Sequence, residues 1–300
     1  NVHDFSYPVA YFYSRKNPRA KVLWTENDPP YTYLPKENYL IDFASRVYNY
    51  FKDLTARKYF RAIDRVLVLD SYNQVWCERR GLNVSIVRLG VDAQIFYLPV
   101  KDFSIKARSK KVRLFSLGSL NKYRRYEDII LSVTLLRAWG YDASALIIAS
   151  DMWDEKAYRE KLCAIVKENQ LATFINIRFQ GVPENGLRTA YRESDVFIYP
   201  MYLPPPRNGF GFSIGVFEAM AAGLPVILCR TTTATEVLEN GKTALFVEPM
   251  SPQQIAEKVR MLIDRPEEYL RIAKSGQEFV HQNMSWEKYA EKFLELVEAE

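Results

Sequence analysis

The residues best suited to chemistry lie in a glycine-spaced run that leads into a short apolar helix. Gly209, Gly211 and Gly215 punctuate this run, and the predicted helix carries one carboxylate, Glu218. Main-chain amides of such a loop, with a helix dipole behind them, form a binding site for an anion such as a diphosphate. The sequence therefore predicts an anion site just ahead of Val216.

Two other interpretations of the same run stay open. In the first, Gly215 caps the helix, and the carboxylate of Glu218, as the third helical residue, reaches back to the cap amide in a capping box. In the second, the three glycines form a dinucleotide fingerprint, and Arg230 at the end of the next strand holds the phosphate of NADP. A fingerprint follows its strand directly, however, whereas a proline-rich loop over 200–208 intervenes here.

A second set of candidate residues is basic and lies between a predicted strand and a predicted helix. Lys122, Arg124 and Arg125 follow the strand 112–117 and precede the helix 126–139. A charge cluster is usually a solvated surface, but this position favours contact with phosphate. No Asp-x-Asp pair stands where a metal-bridged diphosphate would need it, so no metal site is predicted. Basic side chains and helix-end amides are expected to meet the charge of a departing diphosphate.

The elements that must position these residues alternate as strand and helix along the chain. Alternation predicts an α/β fold with parallel sheets. The polar, aperiodic segment 101–111 is predicted to link two domains, which cover 1–100 and 101–284, and a last helix covers 285–300. Ligands of doubly wound sheets lie beyond the carboxyl ends of the strands, so several strand-end loops are expected to converge on one ligand. These loops are 118–125, 180–185, 200–215 and 230–236.

Composition limits the class of protein. Of the 300 residues, 48% are hydrophobic and 26% are charged, as in globular proteins with buried cores. No apolar run approaches the ~18 residues of a membrane span. Two histidines are too few for a zinc site or a serine hydrolase. The three cysteines are far apart and are expected to be reduced core residues. They are Cys77, Cys163 and Cys229.

The net charge of +5 is concentrated in a basic cluster ahead of the strand 112–117. Such a cluster suits the phosphates of a small ligand, an anionic membrane surface or nucleic acid. No recognition helix or RNA-stacking motif accompanies it, so no nucleic-acid partner is predicted. The cluster comprises Lys101, Lys106, Arg108, Lys110, Lys111 and Arg113.

A series of short motifs runs along most of the chain. The motifs are Gly90-Val91-Asp92 with Phe96 and Pro99, Gly118 before a basic helix start, Phe179-Gln180-Gly181, residues 194–200, Gly211 to Gly223, Glu236, Gly241, residues 244–247 and Ser285-Trp286. In this order they resemble the motifs of retaining glycosyltransferases of family four. The resemblance implies the GT-B fold, in which two Rossmann-like, doubly wound domains face each other across a cleft. It also implies that the second domain holds the donor and that the last helix crosses back to the first.

The resemblance further implies roles for individual residues. Glu218 matches the glutamate that binds the ribose hydroxyls of the donor nucleotide, and the amides ahead of Val216 would hold sugar and phosphate. Arg124 stands where the family has a lysine for the diphosphate, and Lys122 is expected to assist it in catalysis. Val182 would contact the base through its main chain. The other expected donor-binding residues are Gly118, Ser119, Gly211, Phe212, Ser213, Ile214 and Gly215.

Three positions depart from the family pattern. The first-motif glutamate falls on Phe210, the diphosphate arginine on Ser119 and a strand-end histidine on Asn27. Lys122 or Arg125 is therefore expected to replace the missing positive charge. The family also begins with a glycine-rich loop and several strand-helix units that have no counterpart here. The first domain is accordingly expected to be incomplete, as a fragment or a shortened relative.

Together these features predict a metal-independent transfer, with retention, of a hexose from a nucleoside-diphosphate sugar to a glycan or lipid-linked acceptor. No cofactor besides the donor substrate is expected. A cytoplasmic location is expected, with peripheral contact at the anionic inner face of the membrane. Two hypotheses of other classes stay open: a catalytically silent GT-B protein that binds or scaffolds, and an NADP-dependent oxidoreductase.

Overall fold

The computed structural model describes residues 3–26, 39–152, 154–204 and 212–298. It contains two compact units that divide between Arg88 and Leu89. Residues 89–100, which the sequence assigns to the first domain, thus belong to the second unit. Within the described ranges, no helix has both the length and the apolarity to cross a membrane.

The first unit is a small parallel sheet with helices between its strands. The three strands pair in the order β1-β2-β3. Its core is built mainly from Trp24, Phe60, Val66 and Val68, which are buried between the sheet and α2. The elements are α1 (His3–Lys16), β1 (Leu23–Glu26), α2 (Tyr39–Phe60), β2 (Arg65–Val68), α3 (Ser71–Glu78) and β3 (Val84–Ile86).

The second unit is a larger doubly wound domain. Two of its inner strands, Val196–Tyr199 and Val226–Cys229, are apolar and buried throughout, as expected of a parallel sheet that is covered on both faces. The strands are β4 (Lys111–Ser119), β5 (Asp142–Ser150), β6 (Ile175–Arg178), β7 (Val196–Tyr199), β8 (Val226–Cys229) and β9 (Leu245–Val247). The helices are α4 (Ser104–Arg108), α5 (Tyr126–Ala138), α6 (Lys156–Glu168), α7 (Glu184–Glu193), α8 (Ile214–Ala221), α9 (Pro252–Asp264), α10 (Pro266–Asn283) and α11 (Trp286–Glu298).

The order of these strands fixes where a ligand can bind. All pairs are parallel, and the order across the six-stranded sheet is β6-β5-β4-β7-β8-β9. The chain winds outward from β4 to β6, returns to the centre at β7, and then winds the other way. In such sheets the crevice lies at the carboxyl ends of the two central strands, where the winding reverses. Here that point lies between the ends of β4 and β7.

The segment 101–111 is packed against the second unit and is not a free linker. Phe103 is buried and stacks on Tyr269 with ring centroids 4.3 Å apart. Lys106 Nζ lies 2.6 Å from the fully buried carboxylate of Asp195, and Lys101 contacts the same carboxylate. The segment looked like a linker because it is polar, but its lysines neutralise the buried charge of Asp195. Two members of the basic cluster, Lys101 and Lys106, therefore face the protein.

Residues 89–100 are held by the far end of the chain. Val91 N donates to Met284 O at 2.8 Å, and Gln277 Nε2 donates to Leu98 O at 2.8 Å. At Gly90, an added methyl group would lie 2.5 Å from Trp286 N. Only glycine fits beneath this crossing, so the motif around Gly90 serves packing of the second unit.

The cysteines follow the expected pattern only in part. Cys77 and Cys229 are buried, whereas Cys163 is exposed. Helix α6 buries Tyr158 and Leu162 on its inner face. Cys163 is on the outer face, and its apolar sequence neighbours therefore gave the wrong expectation.

Candidate functional site

At the end of β4, an arginine of the following turn lies directly over a glycine of the strand. A methyl group built on Gly118 would lie 3.0 Å from Arg124 Cζ and 3.0 Å from the hydroxyl of Tyr126. The Tyr126 hydroxyl donates to Ser119 O at 3.2 Å. The missing side chain at Gly118 therefore makes room for the guanidinium at the carboxyl edge of the sheet.

Arg124 also joins the two central strands. Its Nη1 donates to the hydroxyl of Tyr199, the last residue of β7, at 2.8 Å. The Tyr199 hydroxyl in turn lies 2.9 Å from Met201 Sδ. A main-chain hydrogen bond of 2.9 Å from Tyr202 N to Tyr123 O joins the same two loops. The predicted catalytic arginine is thus placed at the reversal point of the sheet.

The loop after β4 is a 3-10 turn over Lys122–Arg124. Asn121 Oδ1 caps it by accepting from Tyr123 N at 2.9 Å. The turn ends at Arg125 with a positive φ of 55°, and the Arg125 guanidinium pairs with Glu127 at 3.0 Å and Asp128 at 2.8 Å. These two carboxylates disfavour Arg125 as the replacement for the missing phosphate-binding charge. Lys122, by contrast, is exposed at the start of the turn.

Helix α8 begins two residues earlier than a capping box would need. Ser213 is its cap, so Glu218 is the fifth helical residue and its carboxylate does not return to the cap amide. The Ser213 side chain makes no capping hydrogen bond. The amide of Val216 donates to Ser213 O at 3.1 Å, so Ile214 and Gly215 carry the first-turn amides that we consider for a ligand. A methyl group on Gly215 would lie 3.6 Å from Leu117 Cδ2, so the helix starts beside the end of β4.

The Glu218 carboxylate is held by a tyrosine that the sequence did not suggest. Tyr191 on α7 is fully buried, and its hydroxyl donates to Glu218 Oε2 at 2.9 Å. Burial raises the pKa of Glu218 above its ordinary value, and the Tyr191 hydrogen bond partly opposes this. Burial and the neighbouring carboxylate also hold the pKa of Tyr191 well above its ordinary value.

The loop that contains Val182 lies at the same edge of the sheet. Val182 is half-buried between β6 and α7. A methyl group on Gly181 would lie 3.7 Å from Ser150 Oγ, and Ser150 pairs with Ser119 across β5 and β4. Predicted site residues from three loops are therefore neighbours. Gly211, like Gly209, Phe210 and Asn27, lies outside the described residues.

The topology disagrees with the dinucleotide interpretation. In a dinucleotide fold the fingerprint follows the first strand, but Gly215 follows β7, the fourth strand of this sheet. Arg230, the proposed partner of an NADP phosphate, lies 2.9 Å from the Glu248 carboxylate. Among the described residues, no three His, Cys, Asp or Glu side chains cluster as metal ligands would.

Residues 99–279 match the model of a known family, "Glycosyl transferases group 1". The chain belongs to this family. Among curated relatives, spore coat protein SA of Bacillus subtilis is 30% identical over 196 residues, which are 63% of this chain and 49% of the relative. A glycosyltransferase of Methanocaldococcus jannaschii is 23% identical over 288 residues, 93% of this chain and 68% of the relative. The chain thus spans about half the length of the first relative.

Solved structures show that this group 1 chain has the GT-B fold. HepE of Anabaena in complex with UDP superposes with a TM-score of 0.76 at 14% identity, over 99% of this chain and 77% of that chain. Sucrose-phosphate synthase of Thermosynechococcus elongatus gives 0.74 at 17% identity, over 98% and 71%. The C-terminal domain of a group 1 protein of Francisella tularensis gives 0.55 at 25% identity, over 65% and 99%.

Proposed function

We propose that this chain transfers a hexose from a nucleoside-diphosphate sugar to a glycan or lipid-linked acceptor, with retention and without a metal ion. The observation that carries the proposal is the position of Arg124. Its guanidinium lies over Gly118 and reaches the end of β7, where the winding of the sheet reverses and ligands bind. A fixed cation at that edge suits a diphosphate.

Each neighbouring residue is proposed to bind a different part of the donor. The first-turn amides of α8 and the Arg124 guanidinium would hold the diphosphate from two sides, and Glu218 would accept from the ribose hydroxyls. As the glycosidic bond to the diphosphate breaks, negative charge grows on the leaving group. Prearranged donors and a helix dipole lower the energy of that state. Lys122, exposed at the start of the turn, would add positive charge, and Val182 would contact the base through its main chain.

The relatives indicate which donors and acceptors to test first. HepE has been solved with UDP and with UDP-glucose. A capsular polysaccharide glycosyltransferase of Staphylococcus aureus is 28% identical over 178 residues. A uridine diphosphate hexose and a growing glycan are therefore our first choices. We also propose a cytoplasmic location, with the exposed part of the basic cluster available to an anionic membrane surface.

Donor binding is tested by thermal shift and by ligand-detected NMR with UDP, GDP, ADP and dTDP and their sugars. At least one nucleotide should raise the melting temperature, and Arg124→Ala should weaken its binding about tenfold or more, because a charge-assisted contact is lost. The matched control is Arg113→Ala at the opposite end of β4, where the guanidinium pairs with Glu193 at 2.7 Å. Its nucleotide affinity should equal that of the wild type.

Transfer is tested by release of nucleoside diphosphate with and without a chelator, and retention by NMR of the product's anomeric configuration. A folded chain that responds to no nucleotide would remove the proposal. Donor binding without release from any acceptor would instead favour the catalytically silent binding protein. Binding of NADP that Arg230→Ala weakens would favour the oxidoreductase, although the Glu248 pair argues against it.

A further inference from the structure

The buried hydroxyl of Tyr191 donates a hydrogen bond to the carboxylate of Glu218 at the candidate site. Its ring is enclosed by three aromatic rings, with centroids 5.1 Å away for Phe115, 5.7 Å for Phe96 and 6.2 Å for Phe197. This packing leaves the ring no freedom, so the hydroxyl points to one place. It lies 2.9 Å from Glu218 Oε2 and 3.4 Å from Gly215 O.

A second buried tyrosine shows the simpler alternative. Tyr269 is also fully buried, stacks on Phe103, and donates its hydroxyl to Asp195 O at 3.0 Å. A main-chain carbonyl satisfies a buried hydroxyl without burying a charge. Tyr191 instead donates to a carboxylate that is partly withdrawn from water, which costs free energy that main-chain pairing avoids.

The hydrogen bond from Tyr191 engages one of the two oxygens of the Glu218 carboxylate. Within the described residues, the hydrogen bond from Tyr191 is the one that Glu218 accepts with its side chain, and it engages Oε2 alone. The side chain of Glu218 is half-buried, so its other oxygen can still meet a ligand. One oxygen anchored by a rigid donor fixes the plane and direction of the other.

We propose that Tyr191 is a positioning residue that aims the Glu218 carboxylate at the 2′- and 3′-hydroxyls of the donor ribose, and so sets the preference for ribonucleotides over deoxyribonucleotides. The inference rests on the proposed function and deepens it. A carboxylate held in place accepts hydrogen bonds from two hydroxyls without first losing rotational freedom. A site built to accept from a hydroxyl rejects the analogue that lacks it.

The test compares nucleotides by isothermal titration calorimetry. The probes are the ribonucleoside diphosphate that the wild-type chain binds best and its 2′-deoxy analogue. The wild type should prefer the ribonucleotide by about tenfold or more. Tyr191→Phe keeps the ring and its packing but loses the hydroxyl. It should reduce the preference to about threefold or less, because it weakens binding of the ribonucleotide more than binding of the 2′-deoxy analogue, which offers the carboxylate its 3′-hydroxyl alone.

Tyr269→Phe is the matched control, because it also removes one buried hydroxyl. It should lower the melting temperature yet leave the ribose preference unchanged. In a Glu218→Gln background, Tyr191→Phe should change the preference no further, since the aimed carboxylate is already gone.

The outcomes separate the two proposals. If Tyr191→Phe lowers only the melting temperature and retains the wild-type ribose preference, the positioning role is overturned and the proposed function stands. A wild-type chain that binds nucleotides without preferring ribose also overturns the positioning role. If the folded wild type binds no nucleotide, the proposed function falls and the inference falls with it.

Discussion

Glu218 is a residue whose placement makes sense for binding and not for stability. A carboxylate in a half-buried position is poorly solvated, and only part of that cost is offset by the Tyr191 hydroxyl. Natural proteins tolerate such unfavourable groups at functional sites. A substitution at Glu218 can therefore separate its effect on the stability of the fold from its effect on nucleotide binding.

Glu218→Gln keeps an oxygen that can accept from Tyr191 but removes the buried charge. We expect its melting temperature at neutral pH to equal or exceed that of the wild type, and its nucleotide affinity to fall about tenfold. Differential scanning calorimetry and titration calorimetry measure the two effects. A large loss of melting temperature would mean that Glu218 is a structural residue.

The pH dependence of stability in the wild type and Glu218→Gln tests whether the buried charge causes the difference between them. Because burial raises the folded-state pKa of Glu218 above its ordinary 4.5, the folded wild type gains stability as this carboxyl takes up a proton. The advantage of Glu218→Gln should thus be present above the raised pKa and disappear as pH falls towards 4.5. Nucleotide affinity of the wild type should fall over the same interval, since a protonated carboxyl is a weaker acceptor of hydrogen bonds from the ribose hydroxyls.

At this scale the sequence suggested the charged candidates but not the residues that contact them. Arg124 and Glu218 were found from motif position, and both lie where the sheet can present them. Tyr191 and Tyr199 were missed, because neither a tyrosine in a polar helix nor one in an apolar strand reveals the partner of its hydroxyl in the sequence. The pairing of Arg125 with Glu127 and Asp128 was open to sequence reasoning, because these acids lie two and three residues further on.

Among the elements, the end of β4 and the turn after it act together. Gly118 is the last residue but one of the strand, and the guanidinium of Arg124 folds back over it. The contact distance for an added methyl group, 3.0 Å to Arg124 Cζ, is short for two carbon atoms.

Gly118→Ala should therefore displace the Arg124 guanidinium rather than unfold the strand. We expect nucleotide affinity to fall by about tenfold, with a change in the free energy of unfolding of about 1 kcal/mol or less. The control is Gly186→Ala inside α7, where an added methyl group meets Val182 Cβ at 3.5 Å, an ordinary contact. That helix position should gain stability from alanine. Equal loss of affinity in both variants would contradict the prediction.

The elements themselves were largely predictable, and the exception has a physical cause. Apolar runs and alternation located most strands and helices, because the second sheet is buried on both faces. The segment 101–111 was misread since its lysines are polar in sequence but pair with Asp195, which lies more than eighty residues away along the chain. The order of the strands could not be predicted from the pattern of apolar residues, because it depends on which strands pair across the sheet.

For the whole molecule, the residues of the candidate site that the structure describes belong to a single unit, the second one. The described residues of the candidate site lie within Leu89–Glu300, and this unit has its own core. The Francisella tularensis protein shows that a C-terminal domain of this family can be solved alone.

A chain of residues 89–298 should therefore fold cooperatively and bind the same nucleoside diphosphate within about threefold of the parent affinity. Chemical denaturation and titration calorimetry check this. The matched control begins at residue 104, so that it lacks Val91, Leu98 and Phe103 and their contacts with α10. It should unfold at lower denaturant. Equal stability of the two pieces would show that the boundary predicted near residue 101 is the true one.

The crossing at Gly90 also constrains how this unit can be made. The ribosome delivers Gly90 nearly two hundred residues before Ser285-Trp286, so this glycine must wait for its close neighbours until those two residues have been made. Closing so distant a contact is slow. A side chain at Gly90 would therefore interfere at the last step of maturation, and its first symptom should be a poor yield of folded protein from cells rather than a poor catalyst.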